Sequence, residues 1–578
     1  MKKISFLLLL AIVIINFNQI FAQVENNLPN YGLTHKMSGS ERLFLNDYSP
    51  SLITTSPPVA PIRNIAEFEP AEAVIIAYAN GFGLPYSVIK DLALTGNVII
   101  ACPSSNQTTA LNLLNTNGVN TSVCSFLTTP LNSWWTRDYS GWFIADNNNH
   151  VQVVDFTYNR PRPSDDAVTS LEAAQLGITM YGMDLTTTGG NWMCDGYNNA
   201  ISTVLVNEEN TSLTQTQIQQ KALDYLGISN YMIVADAQGQ YIEHIDCWAK
   251  LLAPDKILVD SVPSTDAQYS MYEAAASYFA STNCAYGYPY KVYRPLIAGS
   301  SETATAEPYS NSFIFNNRVF VPIKGGTSSA HDTSALQCYR KAMPGYTVKG
   351  YTASGGAVWY GTDALHCRTH EIADRSMLYI EHLPLHGLIT SYTGYDINAK
   401  VVSYAGNTIA ANYPIVKYKI NHAGQWDSIA MSNVSLLNYT ANIPTQTSGD
   451  TIFYYIKAKD TPGKKAFHPL MGEADPHYFI ADGTNVDIAE TIANPELSFF
   501  TYPNPSKGNF ILFMKSNYGE KATLHIYDIT GNIVYSETFN LQSGNSMKRM
   551  NNENLNAGVY ILEVKTNSDV MTKQLIIQ

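Results

Sequence analysis

Residues 73–78 read A-V-I-I-A-Y and residues 97–102 read N-V-I-I-A-C. Both are short apolar runs of strand length. Further strand candidates follow at V-Q-V-V-D-F (151–156), K-I-L-V-D (256–260) and N-S-F-I-F-N-N-R-V-F-V-P-I (311–323). Between them lie helical-looking segments such as L-E-A-A-Q-L-G-I-T-M (171–180) and Q-I-Q-Q-K-A-L-D-Y-L-G (217–227). Strands alternating with helices in short units predict an α/β domain of repeated subunits over residues 64–388.

Past that boundary the helices stop. Alternating patterns in P-I-V-K-Y-K-I (414–420) and T-I-F-Y-Y-I-K-A-K-D (451–460), with turn residues between them, predict an immunoglobulin-like β-sandwich over 389–484. A further all-β segment, read as a separate sandwich, covers 497–578. At the other end, Lys2 and Lys3, the apolar run 4–16 and Phe21-Ala22-Gln23 form a signal peptide, residues 1–22. The polar, Ser/Pro-rich stretch 23–63 reads as a prosegment or linker. No later apolar run approaches the ~18 residues that span a bilayer, so the mature protein is expected to be exported, and soluble or surface-attached.

A chain of 578 residues exceeds one ordinary core, and 45% hydrophobic with 14% charged residues is a globular composition. The net charge of −13 argues against nucleic acid or an anionic membrane as partner and favours a cationic ligand. The seven cysteines (Cys102, Cys124, Cys194, Cys247, Cys284, Cys338 and Cys367) are an odd set. At least one thiol stays free unless it pairs between chains.

Four clusters in the α/β region hold polar groups that a packed core would not choose. S-W-W-T-R-D-Y-S-G-W-F (133–143) offers the Asp138 carboxylate walled by indoles, an arrangement that can sandwich a flat cation; its plainer reading is a loop with aromatic anchors. Y-N-R-P-R-P-S-D-D (158–166) spaces Arg160 and Arg162 two apart around Pro161. An extended segment would aim both forks to one side as a carboxylate clamp; alternatively Asp165 and Asp166 satisfy a solvated basic turn. Y-I-E-H-I-D-C-W-A-K (241–250) puts His244 and Asp246 on one face if extended.

The fourth cluster, A-L-H-C-R-T-H-E-I (364–372), places Cys367 among His366, Arg368 and His370. A zinc reading would use Cys367 and His370 as a half-site, but the chain contains no C-x2–4-C pair to complete it, so no metal is expected. An inert buried cysteine is the plainer alternative.

A thiol, a histidine and two separated carboxylates are what guanidine hydrolysis needs. A guanidinium stays protonated up to a pKa above ~12, and its delocalised charge makes the carbon a poor electrophile. Carboxylates on either side hold its N–H donors and fix the carbon over a sulfur. A histidine then protonates the departing ammonia and activates water, with no cofactor required.

The order E-F-E-P-A-E-A-V, W-T-R-D, G-G-N-W-M-C-D-G, H-I-D-C-W-A-K, L-H-C-R-T resembles the guanidine-modifying, agmatine-deiminase-like superfamily. With R-P-R at 160–162 and both C-terminal modules, the chain is similar to the secreted bacterial peptidylarginine deiminases. The segments Y-P-N-P-S-K-G-N-F, I-Y-D-I-T-G-N-I-V-Y and L-N-A-G-V-Y-I-L-E-V resemble the C-terminal sorting domain of type IX secretion.

The resemblance implies a five-bladed α/β-propeller (pentein) followed by two all-β sandwiches, and no cofactor. It implies Cys367 as nucleophile, His244 as general acid/base, and Asp138 and Asp246 as the guanidinium grip. Trp135 and Tyr241 would line the slot, Arg160 and Arg162 would bind the α-carboxylate of a C-terminal arginine, and Asn311 would be a further substrate contact. The implied partners are peptides or proteins ending in arginine and the secretion machinery. Thr188 stands where small-molecule agmatine deiminases carry Glu, which leans away from agmatine. A free-arginine or agmatine deiminase, and an inactive surface-binding protein, are the competing expectations. His366 and His370 are expected to be bystanders.

Overall fold

Five small sheets occupy residues 63–373, and they share one plan. A short strand pairs antiparallel with a central strand, a helix follows, and the next strand returns parallel to the central one. Trp142–Ala145, Val151–Tyr158, the helix Val168–Leu176 and Met180–Thr187 form one unit. Met193–Cys194, Asn199–Thr203, the helix Gln215–Leu226 and Asn230–Val234 form the next. Ala249–Ala253, Lys256–Val259, the helix Tyr269–Ser281 and Lys291–Tyr293 form another. Phe313–Phe315, Arg318–Ile323, the helix Ser329–Ala342 and Thr347–Thr352 follow.

The remaining unit draws on both ends of the region. His370–Ala373 pairs antiparallel with Ala71–Ala77, which pairs parallel with Asn97–Cys102 across the helix Tyr86–Thr95. A parallel return needs such a crossover, which is why strand and helix patterns alternate along the sequence.

The coordinates are a computed structural model and describe residues 35–45, 48, 52–354, 357–391, 393–482, 497–502, 504–551, 554–567 and 570–578. The expected signal peptide, 1–22, lies outside the described residues. The chain forms two compact units, residues 1–483 and 484–578.

The strands at 71–77, 97–102, 151–158 and 256–259 fall where the apolar runs predict. Their burial on both faces explains why they read as continuous rather than alternating runs. The helix Gln215–Leu226 opens on a Thr214–Gln217 capping box and ends at Gly227 in the left-handed region (φ 72°).

Two expectations change. Residues 171–180 are not one helix: Gly177 (φ 67°) ends it after Leu176, and Met180 opens a strand. Residues 311–323 are not one strand but a hairpin turned at Asn316 (φ 52°).

Leu378–Glu381 already pairs with Tyr395–Ser403, ahead of residue 388, in a sheet completed by Asn438–Ile443 and Ser432–Ser435. A second sheet contains Leu388–Thr390, His477–Asp482, Thr451–Lys459, Ile415–Ile420 and Asp427–Ala430, with Lys465–His468 also on Thr451–Lys459. The two share a core that includes Ile397, Val401, Val416, Ile456 and Phe479. Lys256 on Asp475 (2.5 Å) and Tyr197 on His468 (2.8 Å) tie this region to the α/β region.

In the second unit, one sheet has Leu497–Tyr502, Asn509–Ser516 and Gly544–Asn551. The other has Ile533–Leu541, Glu520–Tyr527, Gly558–Lys565 and Val570–Ile577. Leu512, Leu524, Leu562 and Leu575 are fully buried in their common core. All seven cysteines are free thiols. Among the described residues, no helix is long and apolar enough to cross a membrane.

Candidate active site

Each of the five units enters its first strand through a tight turn, and these turns carry the site. Thr136–Tyr139 precedes Trp142, Gly189–Asn191 precedes Met193, Ile245–Cys247 precedes Ala249, the bend at Asn311 precedes Phe313, and His366–Arg368 precedes His370. Asp138, Gly190, Asp246, Asn311 and Cys367 therefore occupy equivalent places in five repeats. Turns this short cannot propagate, so they fix side chains without building an element of their own.

Gly190 shows how closely they converge. A β-carbon there would lie 2.6 Å from His244 Nδ1, 2.8 Å from Asp138 Oδ1 and 3.4 Å from Asp246 Oδ2. Only glycine leaves those three groups room to face one point. Cys367 Sγ lies 3.7 Å from Asp246 Oδ2, and Asn311 Nδ2 donates to the sulfur at 3.2 Å. The same Asn311 amide accepts from the His366 backbone N–H at 3.0 Å, which fixes the turn that presents the thiol. Asp138, His244, Asp246, Asn311 and Cys367 are each no more than 1% exposed.

Burial sets the charges. It pulls His244 down to about 4, against the opposing pull of Asp138 and Asp246. The ring is therefore neutral, and among the described residues neither of its nitrogens has a hydrogen-bond partner. Burial, then the carboxylates of Asp246, Asp363 and Asp138, push the Cys367 thiol well up. Burial would also raise Asp246, but the hydrogen bond and charge of His366 hold it below the usual carboxylate range. Asp138 is likewise held low against its burial, chiefly by the charge and hydrogen bond of His35.

The predicted slot residues fall around this centre. Trp135 is buried beneath the Arg162 guanidinium, 5.0 Å from the ring centroid. The Arg160-Pro161-Arg162 stretch is a turn rather than an extended segment, because Arg162 N–H donates to Arg160 O at 2.8 Å. Asp165 is taken up by Ser133 and Asn132, while Arg162 Nε donates to Glu41 Oε1 at 2.8 Å. Arg160 is buried, with its Nη1 on Asn159 O at 3.3 Å. Tyr241 OH lies 3.2 Å from Thr362 Oγ1. His244 and Asp246 do not share the face of a strand: His244 caps the turn that holds Asp246.

His366 is not a bystander. Its Nδ1 lies 2.7 Å from Asp246 Oδ2 and its Nε2 2.7 Å from Glu67 Oε2. Glu67 in turn receives Lys250 at 2.5 Å, and Arg137 pairs with Glu371 at 2.6 Å. His370 does stand apart, with Nδ1 against Glu371 O at 2.8 Å.

The expected linker also enters the site. The His35 ring stacks on Trp135 with centroids 4.8 Å apart at 18°, its Nε2 bonds Asp138 Oδ2, and its Nδ1 lies 2.7 Å from Thr362 O. Two groups, His35–Asp363–Cys367 and His35–Asp138–His244, bring ligating atoms within 4.8 Å of one another. Both depend on His35, whose two nitrogens are already engaged, so a metal would have to displace those bonds. A cavity of about 540 Å³ lies elsewhere, lined by Tyr286, Tyr288, His386 and Met471.

A model of the Porphyromonas-type peptidyl-arginine deiminase family matches residues 63–372, and a model of the secretion system C-terminal sorting domain matches residues 501–578. A protein of Legionella pneumophila (strain Paris), provisionally named an agmatine deiminase, is 25% identical over 303 residues, 49% of this chain and 84% of its own. A similarly named protein of Enterococcus faecalis (strain ATCC 700802 / V583) is 24% identical over 279 residues, 42% of this chain and 74% of its own. The solved agmatine deiminase of Enterococcus faecalis superposes with a TM-score of 0.48 at 20% identity, over 57% of this chain and 100% of that one.

Proposed function

The chain belongs to the Porphyromonas-type peptidyl-arginine deiminase family, and on that premise we propose that it converts arginine at the C-terminus of a peptide to citrulline and ammonia. Its sorting domain makes it a secreted or surface-attached protein that uses the type IX machinery. The observation that carries the reading is the convergence of Asp138, His244 and Asp246 on Gly190, with the Cys367 sulfur beside Asp246.

In this reading Asp138 and Asp246 grip the guanidinium over Trp135, and Cys367 attacks its carbon. The thiol is held up by burial and by neighbouring carboxylates, so a bound cation among those carboxylates favours the thiolate. Neutral His244 takes the thiol proton and delivers it to the departing nitrogen. The C–N bond breaks, ammonia leaves, and a thiouronium remains on sulfur. Water, deprotonated by His244, then attacks that carbon. The C–S bond breaks, which releases the ureido group of citrulline and restores the thiol. Guanidinium and water thus become citrulline and ammonium without a cofactor.

Arg160 and Arg162 would hold the α-carboxylate, with Tyr241 and Asn311 completing the slot. Arg162 already accommodates one carboxylate, that of Glu41. The five repeats would close as a five-bladed α/β-propeller, supported by the unit that draws on both ends of the region. The regions 389–484 and 497–578 would be an immunoglobulin-like and a terminal β-sandwich, behind a signal peptide and a prosegment at 23–63.

Ammonia release from three substrates tests the proposal: a peptide ending in arginine, the same peptide amidated, and agmatine. The first is expected to react, amidation to cost about tenfold or more, and Cys367→Ala to abolish release. Equal rates with the amidated peptide would remove the carboxylate clamp, and full activity in Cys367→Ala would remove the mechanism.

A further inference from the structure

We propose that residues 35–45 are an intramolecular ligand of the arginine slot, which holds the exported chain closed until this segment is displaced or cut away. The inference rests on the slot assignment above and goes beyond it.

The segment reproduces both charges of the substrate. A guanidinium and an imidazolium are both flat, delocalised cations. His35 lies face-on over Trp135 and bonds Asp138, the wall and carboxylate assigned to the guanidinium. Six residues on, the Glu41 carboxylate sits on Arg162 at 2.8 Å, where the α-carboxylate is assigned. Unlike a guanidinium, the imidazole ring carries no nitrogen that can leave, so the ligand occupies the site without being consumed.

Local sequence explains the shape. Ser38-Gly39-Ser40-Glu41 is a capping box: Ser38 N–H donates to Glu41 Oε2 at 2.8 Å, and Glu41 N–H donates to Ser38 Oγ at 3.2 Å. One carboxylate oxygen of Glu41 caps the helix Gly39–Leu45 while the other meets Arg162. Downstream, Thr55 N–H donates to Gly182 O at 3.0 Å and Tyr225 OH donates to Thr55 O at 2.5 Å. This anchor keeps the ligand tethered, so it competes at a high effective concentration.

Burial gives the consequence. With the segment in place, His35 is 3% exposed and Glu41 and Cys367 are fully buried. An arginine side chain cannot reach Asp138 or the thiol while His35 is there.

The test uses the full exported chain with His35→Ala, Glu41→Gln, or both, and Leu43→Ala as a control on an exposed position. Two readouts are taken. The rate of Cys367 alkylation by iodoacetamide is followed by peptide mass spectrometry and normalised to the half-buried Cys338. The kcat/KM for an arginine-terminated peptide is measured in parallel. Loss of one charge-assisted hydrogen bond is expected to speed Cys367 alkylation and raise kcat/KM by about tenfold or more, with Leu43→Ala unchanged. A synthetic peptide of residues 35–45, added to the double variant, is expected to restore protection. The same peptide with His35→Ala is expected to fail.

Alkylation rates within twofold of wild type in His35→Ala, Glu41→Gln and the double variant would overturn the inference. If no form releases ammonia, the deiminase reading fails instead. The alkylation arm still decides whether the segment closes the site.

Discussion

His366 bridges Asp246 to Glu67, with 2.7 Å on each side of its ring. The histidine next to the thiol thus meets a carboxylate of the proposed slot rather than the sulfur. Because its hydrogen bond and charge hold Asp246 ionised against burial, His366→Gln is expected to raise the Asp246 pKa. The acid limb of the kcat/KM–pH profile should move to higher pH. An unchanged profile would leave His366 a packing residue only.

Glu67→Gln removes the shared partner of Lys250 and His366. Leaving a buried ammonium without its carboxylate is expected to cost about 3–5 kcal/mol of stability. A thermal melt of the variant beside wild type checks this, and an unshifted midpoint contradicts it.

Gly190→Ala places a methyl 2.6 Å from His244 Nδ1 and 2.8 Å from Asp138 Oδ1. Those side chains must shift, and misplacement on the ångström scale costs roughly 100-fold in rate. The expected result is a fall of that order in kcat/KM with an unaltered circular dichroism spectrum.

Closure by His35 is expected to weaken with rising pH. His35 faces Asp138, Asp363, His244 and Cys367. Burial lowers its pKa, but Asp138 and Asp363 outweigh burial and raise it. Its contribution to the closed form is complete below the ordinary imidazole value of about 6.5 and is lost as pH climbs through the raised value. Alkylation of Cys367 should rise with pH more steeply in wild type than in His35→Ala. That comparison removes the thiol's own titration.

Glu172 is buried, and among the described residues neither of its carboxylate oxygens has a hydrogen-bond partner. Burial, with Glu371 and Asp155 nearby, pushes it from 4.5 to about 8. The folded state then holds a proton that the unfolded state releases, so stability declines as pH rises from 4.5 to about 8. Glu172→Gln should flatten that decline: melting midpoints near wild type at pH 5 and higher at pH 8.

The convergence of Asp138, His244, Asp246 and Cys367 was legible because they stand in short motifs that no packed core requires. The strands were legible because fully buried parallel strands leave unbroken apolar runs. Turns of at most four residues have no periodicity, so the shared position of Asp138, Gly190, Asp246, Asn311 and Cys367 ahead of five strands could not be read. Nor could the work of His366, whose second partner Glu67 is 299 residues away. His35 and Glu41 sit in a stretch with linker composition. The S-x-x-E spacing at Ser38–Glu41, which caps the helix Gly39–Leu45, is the signal that could have found it.

The strand His370–Ala373, which follows the Cys367 turn, pairs with Ala71–Ala77 near the opposite end of the α/β region. A chain leaving the ribosome completes the Asp138, His244 and Asp246 turns long before the thiol has a place to sit. The Cys367 sulfur enters position only when His370–Ala373 docks on Ala71–Ala77. Any product truncated before residue 367 would carry the proposed walls of the slot and lack the proposed nucleophile, so activity itself would report that synthesis and the pairing of His370–Ala373 with Ala71–Ala77 are complete.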